Sequence, residues 1–526
     1  MDQNFLQRGI ILDWKPENPD FWKKQGAKVA NRNLWTSIPC LLCAFSIWLF
    51  WSIVTVQMKY LGFPFDNNQL FTLSSVAGLT GATLRIPNSF LIAISGGRNV
   101  ITLTTALLLI PTLGSGIALQ NPNTPYGVFV IFAACSGIGG GNFASSMSNI
   151  SFFFPKKNQG VALGLNAGLG NLGISVMQIL LPFVMSFALF GSLGGKGIPL
   201  PTDVGDKVAG SLIWLQNCGL VWVPILIILA ISAWINMNNL GTASPDVGTT
   251  VKETLTALLK SLVLIICGFV SAAISLYCLL NLEISMWIVL PVTIALTVVI
   301  MGMVQRPFKI SLSPQYRIFK NKHNWIMTWL YTMTFGSFIG YSAAFPLLIK
   351  IVFGELPDGS VNPNAIKEFS YAWLGPLVGS LIRPIGGWLS DKWGGAFVTQ
   401  WNTVVMIAAI LGVTYYVKLA SPSQTPEIYF LPFLLLFLLL FITTGIGNGS
   451  TFRMIPIIFE PNQAGPVLGW TSAVAAYGAF IIPRVFGGQI NEGHLEYALY
   501  GIAIYYLSCL VVNWWFYARK NAEMPC

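Results

Sequence analysis

Apolar segments long enough to cross a lipid bilayer follow one another along almost the whole chain. A membrane-spanning helix needs about 20 predominantly apolar residues. With 54% hydrophobic and only 9% charged residues, the chain cannot hide these segments in a water-soluble core, and we predict an all-α polytopic membrane protein. The segments form two series of six, at roughly 34–58, 69–95, 99–119, 127–153, 160–190 and 209–237, and then at 325–349, 370–390, 397–417, 428–458, 466–488 and 496–518.

Two further apolar stretches lie between the two series. Residues 261–282 and 284–304 contain no charged side chain, and only Glu283 separates them. Neither stretch has the polar face that a soluble helix pair needs. We therefore predict an inserted hairpin of two spans at 261–304, which makes fourteen transmembrane helices in all. We expect it to be a peripheral scaffold or an assembly surface.

The predicted organisation has five parts. They are an amino-terminal tail over 1–33, a six-helix bundle over 34–240, a linker with the hairpin over 241–322, a second six-helix bundle over 323–518 and a tail over 519–526.

Basic residues predict how the chain is oriented in the membrane. They occur in the amino-terminal tail and in alternate loops, at Arg98, Lys156, Lys157, Arg306, Lys309, Arg317 and Arg519, whereas the opposite loops carry Asp203, Glu355, Asp358, Glu427 and Glu492. Loops rich in lysine and arginine stay on the cytoplasmic side. We therefore predict cytoplasmic termini and location in a plasma membrane, expected to be a bacterial inner membrane. This pattern explains the net charge of +10 without a nucleic-acid partner.

Two arginines occupy matching positions inside apolar segments of the two series. Arg383 follows Arg85 by 298 residues, and the same offset relates Gly81 to Gly379, Gly96 to Gly394 and Gly97 to Gly395. The repetition indicates two pseudo-symmetric bundles related by an axis along the membrane normal. A charge within a spanning helix costs roughly 2.5–3.5 kcal/mol on insertion scales and usually marks a substrate path.

The surroundings of the two arginines indicate a site for an anion. Each lies about 12–15 Å along its helix from the nearer end, at 1.5 Å per residue, which is too deep for a side chain to reach the interface easily. We find no Asp or Glu well inside the twelve segments. A mobile anion would then be the partner, and the guanidinium fork fits a planar oxyanion.

Small and amide side chains concentrate between Gly139 and Gly173. Gly164 and Gly168 form a GxxxG pattern, which permits close helix packing. Close packing and bending during gating both remain open for the candidate gating glycines, which are Gly164, Gly168, Gly170, Gly173, Gly469 and Gly478.

The run from Gly139 to Gly173 resembles the nitrate/nitrite porter family of the major facilitator superfamily, and so does the segment Trp329–Gly340. The segment Gly387–Gly395 resembles the loop motif of the superfamily, although the matching loop after the second segment lacks its acidic residue. The resemblance covers 34–240 and 323–518. It implies the major facilitator fold, an anion clamp of one arginine from each half, and a substrate site formed by Arg85, Arg383, Phe143, Phe335, Tyr331, Asn171 and Asn166.

The resemblance gives roles to these side chains. Phe143 and Phe335 would sandwich the planar anion, while Tyr331 and Asn171 would donate hydrogen bonds. The segment 469–478 lacks the asparagines of the fifth segment, which would place the polar contacts in the first half.

The leading functional hypothesis is a nitrate/nitrite carrier that works by alternating access. Because arginine hardly titrates and proton symport usually needs an acid in the path, exchange is favoured over proton-coupled uptake. A phosphate or organophosphate antiporter of the same fold and a transporter-derived nitrate sensor are the alternatives. No enzyme, cofactor or metal is predicted: only His323 and His494 could supply imidazole, and the eight cysteines, including Cys40 and Cys43 on one helix face, lie mostly inside apolar runs.

Overall fold

The structure is a computed structural model that describes residues 6–7, 9–203, 207–244, 247–312, 316–360 and 362–526. Its long helices are numbered in chain order. They are α1 Pro19–Tyr60, α2 Asn67–Ser95, α3 Gly97–Ala118, α4 Tyr126–Phe153, α5 Lys156–Val184, α6 Asn217–Asn236, α7 Val251–Leu280, α8 Met286–Phe308, α9 Lys322–Gly354, α10 with its two segments Leu374–Leu381 and Arg383–Trp393, α11 Gly395–Ala420, α12 Pro426–Ile458, α13 with Pro461–Ala475 and Gly478–Asn491, and α14 Leu495–Ala518.

Twelve helices of the described chain are long and apolar enough to cross a membrane. The all-α polytopic prediction is thus confirmed. The fourteen predicted spans include two helices that fail this criterion, α2 and α10, and these carry the two arginines. Helix α2 has 29 residues, but its many Thr, Ser and Asn side chains and Arg85 dilute its apolar character. Helix α10 is interrupted next to Arg383. Both are held by packing against other helices.

The amino-terminal tail is folded onto the bundle. Helix α1 begins at Pro19, well before the predicted start at residue 34. Strands β1 (Leu6–Gln7), β2 (Ile10–Ile11) and β5 (Asn239–Leu240) form a small sheet, and β3 (Ile198–Pro199) pairs with β4 (Leu212–Ile213) in the loop before α6. A Glu17 carboxylate oxygen accepts a 2.9 Å hydrogen bond from the backbone N–H of Lys156, at the start of α5.

Both ends of the chain lie at one end of the bundle, which we call the terminal end. The Trp14 indole donates to the Phe152 carbonyl at 3.1 Å, and the Ala396 backbone N–H donates to the Cys526 carbonyl at 2.9 Å. These contacts bind the amino-terminal tail to the end of α4 and the carboxy-terminal tail to the start of α11.

The two series of helices meet along two main contacts, α2 with α13 and α5 with α10. The inserted hairpin of α7 and α8 packs on α2 from outside. At Gly268 a Cβ atom would lie 2.8 Å from the Leu84 side chain and 3.1 Å from Pro87. The hydroxyls of Ser261 and Ser95 lie 2.6 Å apart. The hairpin therefore supports the helix that carries Arg85.

Candidate functional site

Arg85 lies fully buried in the middle of α2. Its Nε donates to the carbonyl of Gly140 on α4 at 2.7 Å, and its Nη1 donates to the carbonyl of Ser472 on α13 at 3.1 Å. Its Nη2 has no hydrogen-bond partner among the described residues. Because α13 belongs to the second series, this side chain also joins the two halves.

Arg383 is buried at the point where α10 is interrupted. The next residue, Pro384, has no N–H, so it leaves the carbonyl of Ser380 without its helical donor. All three guanidinium nitrogens of Arg383 are buried and lack a hydrogen-bond partner among the described residues. This arginine therefore keeps its full donor set for another molecule.

Near-parallel aromatic rings lie beside the two arginines. The ring centres of Phe143 and Phe335 are 5.3 Å apart with their planes at 16°. Tyr331 lies 5.6 Å from Phe335 and 4.4 Å from Phe452, again almost parallel. A planar anion between two rings needs about 7 Å, twice an ordinary carbon contact. In this structure the two phenylalanines therefore touch each other directly.

The Phe335 ring connects the two guanidinium groups. Its centre lies 4.7 Å from Cζ of Arg85 and 5.4 Å from Cζ of Arg383. The two Cζ atoms are therefore at most about 10 Å apart. Phe335 lies in a π-helical turn, Thr332–Gly336, within α9. Such turns often occur at functional sites. Cation–π attraction offsets part of the repulsion between the two cations.

A cavity of about 270 Å³ leads from the terminal end to Arg383. Exposed Lys156 and Lys157 line its mouth together with Arg453, and buried Arg383 and Tyr331 line its inner end. The cavity lies between α5 and α12, so both halves form its walls.

The arginines have no acidic partner in the part of the chain that the structure describes. Asp391, at the end of α10, pairs instead with Arg453 on α12. Two buried cations with unused donors attract a small anion strongly, because a low-dielectric environment screens charge weakly. The arrangement can therefore bind an anion with charge-assisted hydrogen bonds.

The sequence-predicted polar residues divide into two groups. The Tyr331 hydroxyl is buried without a partner among the described residues and lies in the cavity. Asn166 donates to the Ser146 hydroxyl at 2.8 Å, and Asn171 donates to the Ala167 carbonyl at 2.5 Å. The oxygens of both amides remain unpaired in the described chain, but the hydrogen bonds of the two side chains lie within the first half and none joins either arginine.

The candidate gating glycines lie at close helix contacts. At Gly168 a Cβ would be 2.8 Å from the Ser380 carbonyl, and at Gly164 it would be 3.4 Å from Pro384, both across the halves. At the remaining four, an added Cβ would lie only 2.0–2.6 Å from the nearest atom of a neighbouring helix. That helix is α1 for Gly170 and Gly173, α2 for Gly469 and α9 for Gly478. Helix α5 runs unbroken past its four candidate gating glycines. Bending stays a prediction.

Three residues of the site were missed in the sequence. Asn448 lines the cavity, and neither amide atom has a partner among the described residues. It directly follows Gly445-Ile446-Gly447, which repeats Gly137-Ile138-Gly139 of the first half, and that repeat was the signal that could have found it. Phe452, in the aromatic stack, lies one turn further along α12. Trp48, whose ring centre is 5.0 Å from Cζ of Arg85, gave no signal among the chain's 18 tryptophans.

Known proteins resemble this chain over nearly its whole length. No family model matches the chain. The chain is 39% identical over 519 residues to the probable nitrate/nitrite antiporter NarK2 of Thermus thermophilus, covering 98% of both proteins. It is 36% identical over 536 residues to the nitrate/nitrite transporter NarU of Escherichia coli (strain K12), covering 98% of this chain and 97% of NarU.

Solved structures show the fold. The proton:xylose symporter XylE, of the major facilitator superfamily, aligns with a TM-score of 0.56 at 14% identity, over 93% of this chain and 96% of XylE. The human organic anion transporter MFSD10 aligns with a TM-score of 0.54 at 13% identity, over 93% of this chain and 99% of MFSD10. The predicted major facilitator fold is confirmed.

Proposed function

Because the chain belongs to the nitrate/nitrite transporter family of the major facilitator superfamily, we propose that it exchanges nitrate for nitrite across a bacterial inner membrane by alternating access. The observation that carries the proposal is the pair of buried arginines on either side of Phe335, with unused N–H donors and no carboxylate partner within the described chain. A planar monoanion matches the guanidinium fork.

The binding step is proposed to open the aromatic stack. Phe143 belongs to the first half and Phe335 to the second, so a rocking motion of the halves changes their separation. When the rings part by about 2 Å, from 5.3 Å to the 7 Å that a planar guest needs, an anion can enter between them and reach the free donors of Arg383. The bound anion neutralises one of the two cations, which favours closure of the halves around it.

Exchange is preferred to proton symport because titratable groups are scarce on the proposed route. Among the described residues that line the cavity, the charged ones are Lys156, Lys157, Arg383 and Arg453, and none is acidic. Arginine keeps its proton, so the site offers no carboxylate to carry one. On the positive-inside prediction, the terminal end faces the cytoplasm, and this cavity is the inner route.

The proposal is tested on purified protein in liposomes. Liposomes loaded with nitrite are diluted into labelled nitrate, with and without a pH gradient. We expect uptake that needs internal nitrite, ignores the pH gradient and is not inhibited by phosphate. Uptake into empty liposomes driven by the pH gradient would contradict exchange. Strong competition by phosphate would contradict the substrate class, and binding without transport would indicate a sensor.

Tyr331→Phe is expected to raise KM for nitrate about tenfold without loss of stability. Its hydroxyl is buried and has no partner among the described residues, so its removal breaks no protein hydrogen bond, while a lost bond to a charged group is worth about 1.5–3 kcal/mol. Tyr477→Phe is the matched control, since that hydroxyl lies 3.0 Å from the hydroxyl of Thr83. Substrate kinetics and thermal unfolding check both; an unchanged KM in Tyr331→Phe would remove this residue from the site.

A further inference from the structure

A second cavity, of about 380 Å³, lies between the two halves at the end opposite to the terminal end. Helices α1 and α2 of the first half and α9 and α13 of the second half form its walls. We call it the outer cavity. Its position between the halves places it in line with the arginine site and with the cavity at the terminal end.

Trp48 separates the outer cavity from the arginine site. Its ring lines the outer cavity, and its centre lies 5.0 Å from Cζ of Arg85. The indole N–H donates to the Ala77 carbonyl at 2.8 Å. At Gly81 and Gly140 a Cβ would lie 2.0 and 2.7 Å from the indole, so the lack of a side chain at these two positions makes room for the ring. The Trp48 ring thus lies between the outer cavity and Arg85 and is held there by a hydrogen bond.

Electrostatics make the outer cavity attractive to anions. Arg484 on α13 lines it, is exposed, and makes no hydrogen bond or ion pair with any residue that the structure describes. No acidic side chain occurs among the described residues that line this cavity. The Ser75 hydroxyl, also in the lining, makes no hydrogen bond within the described chain and can donate one. Narrow clefts with low-dielectric walls concentrate the field of such a cation.

We propose that the outer cavity is a capture site for small monovalent oxyanions, in which Arg484 holds nitrate or nitrite before the Trp48 wall opens towards Arg85. The inference rests on the proposed function and adds a second, one-sided binding site to it. An anion arriving from the opposite side would reach Arg383 through the terminal-end cavity and would not meet Arg484.

Side-specific kinetics test the capture site. KM for nitrate is measured at the outer face in right-side-out membrane vesicles and at the inner face in inside-out vesicles, with nitrite as the exchanged anion. We expect Arg484→Gln to raise the outer-face KM at least about threefold, to weaken its dependence on salt, and to leave kcat and the inner-face KM unchanged. Arg484→Lys keeps the charge and should stay near wild type.

Two further variants make the test specific. Gly487 lines the outer cavity, and a Cβ there meets nothing within 4 Å. Gly487→Asp should raise the outer-face KM, because a carboxylate three residues along the same helix offsets the charge of Arg484. Lys418 is exposed near the carboxy-terminal end of α11, at the same end of the bundle as the outer cavity but outside its lining. Lys418→Gln also removes one positive charge and should leave KM at both faces unchanged.

Each outcome decides one question. The capture site is overturned if KM shifts equally in Arg484→Gln and Lys418→Gln, if KM of Arg484→Gln shifts equally at both faces, or if it does not shift. Exchange by the wild type would still support the proposed function in each of these cases. Wild-type vesicles that fail to exchange would overturn the proposed function, and this inference with it.

Discussion

Arg383→Gln is expected to abolish nitrate transport and to leave the folded protein at least as stable as the wild type. None of the guanidinium nitrogens of Arg383 bonds to another described residue, so the substitution breaks no internal hydrogen bond. It also removes a buried charge, which costs about 2.5–3.5 kcal/mol in a spanning helix. The anion loses a charged partner, and such losses reach about 2–5 kcal/mol, or at least about 30-fold in affinity.

Arg85→Gln is the matched comparison. It also removes an arginine from the site, but it breaks the bonds to the carbonyls of Gly140 and Ser472, each worth about 1.5–3 kcal/mol because the donor is charged. We expect transport to be lost in both variants and the melting temperature to fall further for Arg85→Gln than for Arg383→Gln.

Exchange in liposomes and thermal unfolding in detergent measure the two effects separately. If Arg383→Gln unfolds at a clearly lower temperature, the side chain has structural partners and the assignment of its free donors to the anion fails. If it folds and still exchanges nitrate at the wild-type rate, Arg383 is not part of the site.

Gly168→Ala is expected to reduce transport about tenfold or more and to destabilise the protein by about 1–3 kcal/mol, as overpacking does. The added methyl group would lie 2.8 Å from the Ser380 carbonyl and 3.8 Å from Cβ of Arg383. The obstacle is backbone, so α10 must move away from α5. Because Arg383 follows the break in α10, this displacement carries the Arg383 side chain with it.

Gly164→Ala supplies a control of equal size on the same helix. Its methyl group would lie 3.4 Å from Pro384, an ordinary contact, and we expect exchange rates and stability within twofold and about 0.5 kcal/mol of wild type. Similar behaviour of the two variants would show that the α5–α10 contact does not control the site.

The sequence predicted the fold class and the arginine pair because both depend on strong signals. A spanning helix must be apolar along its length, and a buried charge stands out against that background. The duplicated motif also linked the two arginines, since one offset relates them and their neighbouring glycines. The aromatic residues Phe143, Phe335 and Tyr331 came from the family resemblance, and the structure brings all three to the guanidinium groups.

Other features of the structure could not be predicted from the sequence pattern. The start of α1 was missed because the polar residues of 19–33 do not look like a membrane segment, although they continue its helix. The lack of space between Phe143 and Phe335 depends on the relative position of the halves, which no local pattern encodes. Asn166 and Asn171 were placed in the site by resemblance alone, and their present bonds lie within the first half.

The hairpin gives the two arginine helices different neighbours. All side chains of α2 from residue 76 to 92 are buried, partly beneath α7, whereas α10 exposes Leu381, Ile385 and Trp388 on its outer surface. In a bilayer, lipid chains therefore press directly on the helix of Arg383 and reach that of Arg85 only through protein. Changes in bilayer thickness or lateral pressure should consequently act on Arg383 and spare Arg85, so the lipid composition can tune the two arms of the proposed anion clamp unequally.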